Sequence, residues 1–456
     1  MSKQTKQEVG LQTKTKCQYN LPLHPDRKVT VRFDGGRISS DAGLAPLYLL
    51  DGSQRLSQGL ASCIEDGRDR RYVRHSVALM SRQRMLQIAA GYEDCNDADS
   101  LRRDAALRTF CDRLPESGPE LASQPSLSRL ENAVDRRDLW RMGQWFIRQW
   151  VRQVKKSGRE KVVLDLDSTD DPTHGQQEFS FWHGYFGNRV YHPLLVFDAE
   201  TGDLICALLR AGNSGAGRCV VGVLKRIVRE MQQHIRWPVE IEIRGDSGFA
   251  IPALYEYCEE EGLSYEIGFS RNPRLERAVA GLVAESEAAY EQEGCKQRRF
   301  MEFSYQADSW DRPRRIIAKV EVQELGLNRR FVVTNRVDRS PRQLYDHYIQ
   351  RGQSENFIKA FKKDLSMDRL SCHRFLANQF RLFLHALAYQ LFLRLRDYLQ
   401  GTPWQHLEIE TLRRRMIKIG ARIQQTTRRI WIHCSSAYPE QDTFLLVLRR
   451  ICPNTS

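Results

Sequence analysis

The chain has 456 residues, more than one ordinary domain needs, so two or three domains are expected. Hydrophobic residues make up 41%, which excludes wholesale disorder, and the formal net charge of +13 favours a polyanionic partner, nucleic acid ahead of an anionic membrane surface. Lysines and arginines that only keep the chain soluble would give the same balance. The 11 cysteines include no CxxC pair and no cluster with zinc-ligand spacing, so neither a zinc finger nor a disulfide framework is expected. The N-terminus, MSKQTKQEVG, has no apolar stretch. The most apolar run, Phe375–Leu395, is interrupted by Arg381, His385 and Arg394 and reads as a buried helix. No signal peptide, no membrane contact and a cytoplasmic, nucleoid-associated setting are therefore expected.

Taken in chain order, residues 1–25 are polar and read as a disordered tail. Residues 26–156 open with a short strand, Val29–Phe33, and then turn helical. Ser39 or Ser40 can cap a first helix, and Val77–Ile88, Leu101–Phe110, Leu127–Val134 and Leu139–Val154 follow, with Pro115–Pro125 as a linker. Arginines recur here, at 68, 70, 71, 74, 82, 84, 102 and 103, and suit either a DNA-binding region or solvated helix faces. From Lys161 the period changes to two: KVVLDLDST puts Val162, Leu164 and Leu166 on one face, Asp165 and Asp167 on the other. A hairpin (YHPLLVFDAETGDLICALLRAG), a helix (Gly217–Gln233), a strand (VEIEIRGD), a helix begun by Pro252 and a strand (LSYEIGFS) follow. Residues 272–338 read as a β-rich insertion, after which Ser340–Leu365 is helical. Residues 339–400 would complete the core begun at 157–271, leaving 401–456 as a C-terminal region.

Three acids sit where metal-assisted phosphoryl transfer needs them. Such chemistry requires carboxylates converging from separate elements, because hard divalent ions prefer oxygen ligands. Asp167 lies in the first strand, and Asp165 points the same way; an exposed strand face would place them equally well. Asp170 and Asp171 read as turn formers. Asp246 ends the strand in RGDSGF, where open α/β sheets place ligands, although a capping aspartate would also fit. In the 340–365 helix, Tyr348, Arg351, Glu355, Lys359 and Lys362 share one face, which could be an ordinary solvated stripe.

Four of those residues form Y-x2-R-x3-E-x6-K: Tyr348, Arg351, Glu355 and Lys362. That pattern resembles the signature of the insertion sequence 4 superfamily of bacterial DDE transposases. The stretches DLDSTDDPTHGQQE, WHGYF, HPLLVFD, LLRAGNS, RGDSGF, RFVVTN and RGQSENFIKAFKKDL look more specifically like its insertion sequence 1380 family. The resemblance implies an α/β fold: a ribonuclease H-like catalytic core with a β-rich insertion, plus a mostly helical N-terminal domain. It implies that Asp167, Asp246 and Glu355 are catalytic and bind two Mg2+ ions, with Mn2+ able to substitute. It further implies that Tyr348, Arg351 and Lys362 contact DNA phosphates, beside Lys359 on the same helix face. Trp310 of the insertion is a candidate for stacking on a flipped base, against a core role. The implied activity is cut-and-paste transposition through a hairpin, acting on double-stranded DNA at terminal inverted repeats and target sites as a homodimer. The alternatives are another ribonuclease H-like nuclease and a domesticated, non-catalytic DNA-binding protein; the presence of all three acids argues against the latter.

Overall fold

The computed structural model describes residues 18–453. A mixed sheet of eight strands lies at its centre. In chain order these are β1 (Lys161–Ser168), β2 (Leu194–Asp198), β3 (Leu204–Leu208), β4 (Glu240–Gly245), β5 (Ser264–Phe269), β6 (Gln297–Tyr305), β7 (Arg314–Gln323) and β8 (Gly326–Thr334). Across the sheet they run β6-β7-β8-β5-β4-β1-β2-β3. Strands β1 to β3 are antiparallel neighbours, whereas β4 lies parallel to β1 and β5 parallel to β4. Helix α1 (Arg136–Ser157) leads into β1, and α2 (Val220–His234) and α3 (Pro252–Glu260) make the returns to β4 and β5. The expected succession of three antiparallel strands, helix, strand, helix, strand is present.

Alternation along the strands sorts their side chains between two faces. Val162, Leu164 and Leu166 of β1 join Ile241, Ile243, Tyr265 and Ile267 in a core closed by apolar side chains of α1, α2 and α3. The opposite face is mixed. On β2, Leu195 and Phe197 belong to a second core, shared with the long helix after residue 374. On β1, β4 and β5 that face is polar and lies under α4 (Pro341–Tyr348) and α5 (Gly352–Lys359). Leu344 and Tyr345 seat α4 on Ile317 and Val332 of β7 and β8.

Helix α6 (Phe375–Leu399) is buried along most of its length and gathers the N-terminal helices and the C-terminal helix Gln441–Ile451 around it. Its polar interruptions each find at least one partner: Arg381 donates to Ser371 and Arg394 pairs with Asp203. His385 Nδ1 lies 2.7 Å from the Leu365 carbonyl, and burial pushes the ring down to about 3, so it is neutral. Among the described residues no helix is long and apolar enough to cross a membrane.

Three sequence expectations change. Residues 1–17 of the expected tail lie outside the described residues, but Gln18–His24 is a strand paired with Arg27–Arg32. The stretch 115–125 is a packed connection: Leu121 and Ala122 are buried, and the Gln83 amide both donates to and accepts from the Ala122 backbone. Residues 272–338 hold two helices, Pro273–Ala278 and Ala280–Glu293, before β6, β7 and β8. Those strands extend the main sheet, because β8 pairs directly with β5. The C-terminal region supplies a hairpin, Ala421–Gln425 with Ile430–Cys434, to which Ile38–Ser39 adds a third strand.

Phe392, fully buried in α6, tests the second core. Phe392→Ala is expected to cost about 3–5 kcal/mol in denaturant unfolding, from lost burial and the cavity left behind.

Candidate active site

The polar sheet face is built by register. Arg244 of β4 stands opposite Asp165 of β1 on one side and Glu266 of β5 on the other. Period two then puts Asp165 and Asp167, Glu242 and Arg244, and Glu266 and Gly268 on one side of the sheet. The two acids of β1 are handled differently. Asp165 is fully buried and gripped bidentately by Arg244, Nε to Oδ1 at 2.8 Å and Nη2 to Oδ2 at 3.0 Å. Asp167, one step nearer the strand end, accepts from the Ser168 N–H at 2.8 Å, Arg351 Nη1 at 3.2 Å and Ser354 Oγ at 3.4 Å. Burial pushes its carboxyl up to about 6, reinforced by the nearby Asp246 charge and opposed by Arg351.

Asp246 leaves the end of β4, and the capping expectation for it holds. Its carboxylate caps the short turn Ser247–Phe249, accepting from the Gly248 N–H at 2.8 Å. It also lines a cleft of about 1040 Å³ that contains Tyr348, Arg351 and Glu355. Glu355 is exposed on the wall of that cleft. The cleft further carries Arg271, Arg329 and Arg330, which spacing along the signature helix could not reveal. They come from the loop after β5 and from β8, which are adjacent because β8 pairs with β5.

The signature helix is not a uniform α-helix. It tightens to a 3-10 turn at Ile349–Arg351 and widens to a π turn at Ala360–Asp364. The five-residue stripe therefore divides. Tyr348, Arg351 and Glu355 face the cleft. Lys359 makes an exposed pair with Glu408 at 2.8 Å and does not line the cleft. Lys362 reaches Asp170, Nζ to Oδ1 at 2.6 Å and to the carbonyl at 2.8 Å. Asp170 lies between two strands and not in the turn expected of it, and acts as an ion-pair partner. Asp171 is fully buried in a short strand against Tyr191, where burial and the neighbouring Asp368 raise its carboxyl well above the usual range.

Trp310 does not stand in the cleft. It is 6% exposed and packed among Tyr255, Phe269 and Tyr305, with ring centroids 5.3–5.6 Å away and the Arg314 guanidinium 5.5 Å from its own. Of the two readings for Trp310, a base-stacking ring and a core ring, its position fits the second.

Gly268 is the small residue that lets the helix descend. A Cβ there would lie 2.5 Å from the Tyr348 hydroxyl and 3.1 Å from the Ser247 nitrogen. Gly268→Ala is expected to destabilise by about 1–3 kcal/mol through overpacking, and adding Tyr348→Phe should recover part of that loss in thermal unfolding. Trp310→Ala, by contrast, should cost about 3–5 kcal/mol whatever stands at 348.

The family model described as transposase DDE domain group 1 matches residues 21–455. No curated protein matches the chain significantly. Among solved structures, a cryo-EM structure of a piggyBac transposase synaptic complex with hairpin DNA is distantly similar, with a TM-score of 0.42 and 10% identity over 83% of this chain and 80% of that one. With the family model spanning nearly every described residue, the chain belongs to the DDE transposases of domain group 1.

Proposed function

We propose that the chain excises and inserts an insertion sequence of the 1380 type by cut-and-paste transposition, with Asp167, Asp246 and Glu355 as its catalytic acids. One observation carries the reading. Asp167 and Asp246 lie at the ends of adjacent parallel strands, close enough for the charge of one to raise the pKa of the other, and Asp246 and Glu355 line one cleft. The strand order of β3-β2-β1-β4-β5, with β4 and β5 following β1 in direction, supports a ribonuclease H-like core. Asp167 is preferred to Asp165 for the triad, since Arg244 already holds both Asp165 oxygens.

The three carboxylates make an all-oxygen donor set suited to two Mg2+ ions, with Mn2+ an acceptable substitute. Asp167 fits this use, since a buried acid raised to about 6 gains most from a cation. When bound, such ions would neutralise the attacked phosphate and acidify the attacking water or 3′-hydroxyl. The chain's own cations do the rest. Arg351 rests on Asp167 and Lys362 on Asp170. Both can pass to DNA phosphates, Arg351 as a planar fork and Lys362 as a point charge, once their acids are otherwise engaged. Tyr348, Arg271, Arg329 and Arg330 offer further contacts along the cleft to a duplex end. Terminal inverted repeats and target duplex are the substrates, two chains bring the two ends together, and a hairpin joins the strands before insertion.

The test is cleavage of labelled DNA carrying the flanking ends, in Mg2+. Wild type should cut at the element boundary, and Glu355→Ala, Asp167→Asn and Asp246→Asn should each be slower by roughly a thousandfold or more. Cleavage by Glu355→Ala at the wild-type rate would refute the assignment. A second outcome follows from the raised Asp167. Its contribution to stability is complete below the ordinary aspartate value and lost as pH rises through about 6. In metal-free buffer at pH 8, Asp167→Asn should therefore be more stable than wild type, by about 1–3 kcal/mol. Adding Mg2+ should raise the wild-type Tm and leave that of Asp167→Asn nearly unchanged.

A further inference from the structure

We propose that His347 is a positioning residue, an imidazolium clamped between two buried carboxylates that sets the seat of the Tyr348–Glu355 helix over the acidic strands. The proposal rests on the reading of Asp167, Asp246 and Glu355 as catalytic acids. His347 Nδ1 lies 3.0 Å from Glu242 Oε1 on β4 and 2.9 Å from Glu266 Oε2 on β5, and both carboxylates are fully buried. The carbonyl of the same residue accepts from Arg244 Nη1 at 2.9 Å, while the other edge of that guanidinium holds Asp165. One residue is thus tied to the sheet through its side chain and its backbone. The next residue is Tyr348, whose hydroxyl fills the space above Gly268, and one turn on is Arg351, which reaches Asp167. Any shift at His347 moves these groups together.

Two carboxylates and an imidazole this close would also suit a metal ion. The surrounding charges argue otherwise. Lys161 pairs with Glu242 at 3.0 Å, Arg336 with Glu242 at 3.0 Å, and Arg339 with Glu242 at 3.3 Å and Glu266 at 2.8 Å. A divalent ion would meet three fixed cations, with Arg244 behind them. An imidazolium adds one delocalised charge and a directed N–H. Burial opposes that charge, but the hydrogen bonds to Glu242 and Glu266 outweigh it and hold the ring above its ordinary range. The clamp is complete below the ordinary histidine value and loosens as pH rises through the elevated one.

The test uses the full chain as wild type, His347→Asn, His347→Asn/Glu266→Gln and Glu355→Ala. Asn keeps a donor near the Nδ1 position without the charge. Amide hydrogen exchange over residues 341–359 and single-turnover cleavage in Mg2+ are measured from pH 6 to pH 9. In His347→Asn, exchange of that segment should rise about threefold or more, and its pH dependence should flatten. Cleavage should slow by about tenfold or more, with Kd for end DNA within about twofold. The double variant, which removes one charge from each side, should restore much of both. Wild-type exchange and an unchanged pH profile in His347→Asn would overturn the proposal. Should His347→Asn fail to fold, the double variant decides: recovery of the protected segment upholds the clamp, and its absence overturns it. Glu355→Ala cutting like wild type would remove the catalytic reading alone, because the exchange result judges His347 without reference to cleavage.

Discussion

A buried carboxyl must either take a proton or stand beside a compensating charge, and Asp165, Glu242 and Glu266, fully buried on one face of the central sheet, have cations beside them. Much else in the structure follows from that constraint. Arg244 neutralises Asp165 across the β1–β4 register, and the cations Lys161, Arg336 and Arg339 converge on Glu242 and Glu266. A helix laid over such a face cannot rest on apolar contact alone, so α4 is attached at one end by Leu344 and Tyr345 and at the other by polar bonds to the strands. The seat of Arg351 and Glu355 is therefore determined by electrostatics as much as by packing.

The same economy extends to the cleft. Arg351 and Lys362 each stand against an aspartate of the β1 end in the DNA-free chain. These pairs lower the cost of holding acids together before anything binds. They also keep the two cations within a side chain's swing of where a phosphate would lie. Opposite charges that support one another in the free protein become available separately when the acids acquire other partners.

How much of this could be read from the residues depends on range. The period-two runs of β1 and β4, the Pro252 helix start and the Tyr-Arg-Glu-Lys spacing are local, and each was legible. Asp165 and Asp167 looked equivalent because alternation alone cannot see Arg244, which lies 79 residues away. The insertion read as a separate β-rich unit because pattern gives strands without their neighbours; pairing of β8 with β5 is a long-range fact. Trp310 was ambiguous for the same reason, as its aromatic neighbours come from α3, β5 and β6. Lys359 was grouped with the other four by spacing alone, which cannot show its partner Glu408, 49 residues away.

Helix α6 has a bearing on how the chain can be made. The N-terminal helices find their core against Phe380, Leu384, Leu387 and Leu391, residues that leave the ribosome late, and the Ile38–Ser39 strand waits for Ala421. The first third of the protein therefore lacks part of its core until most of the rest has been synthesised. A chain cut short before residue 375 would lack the helix that joins the N-terminal helices to Leu195 and Phe197 of β2, and so the wall behind one side of the sheet.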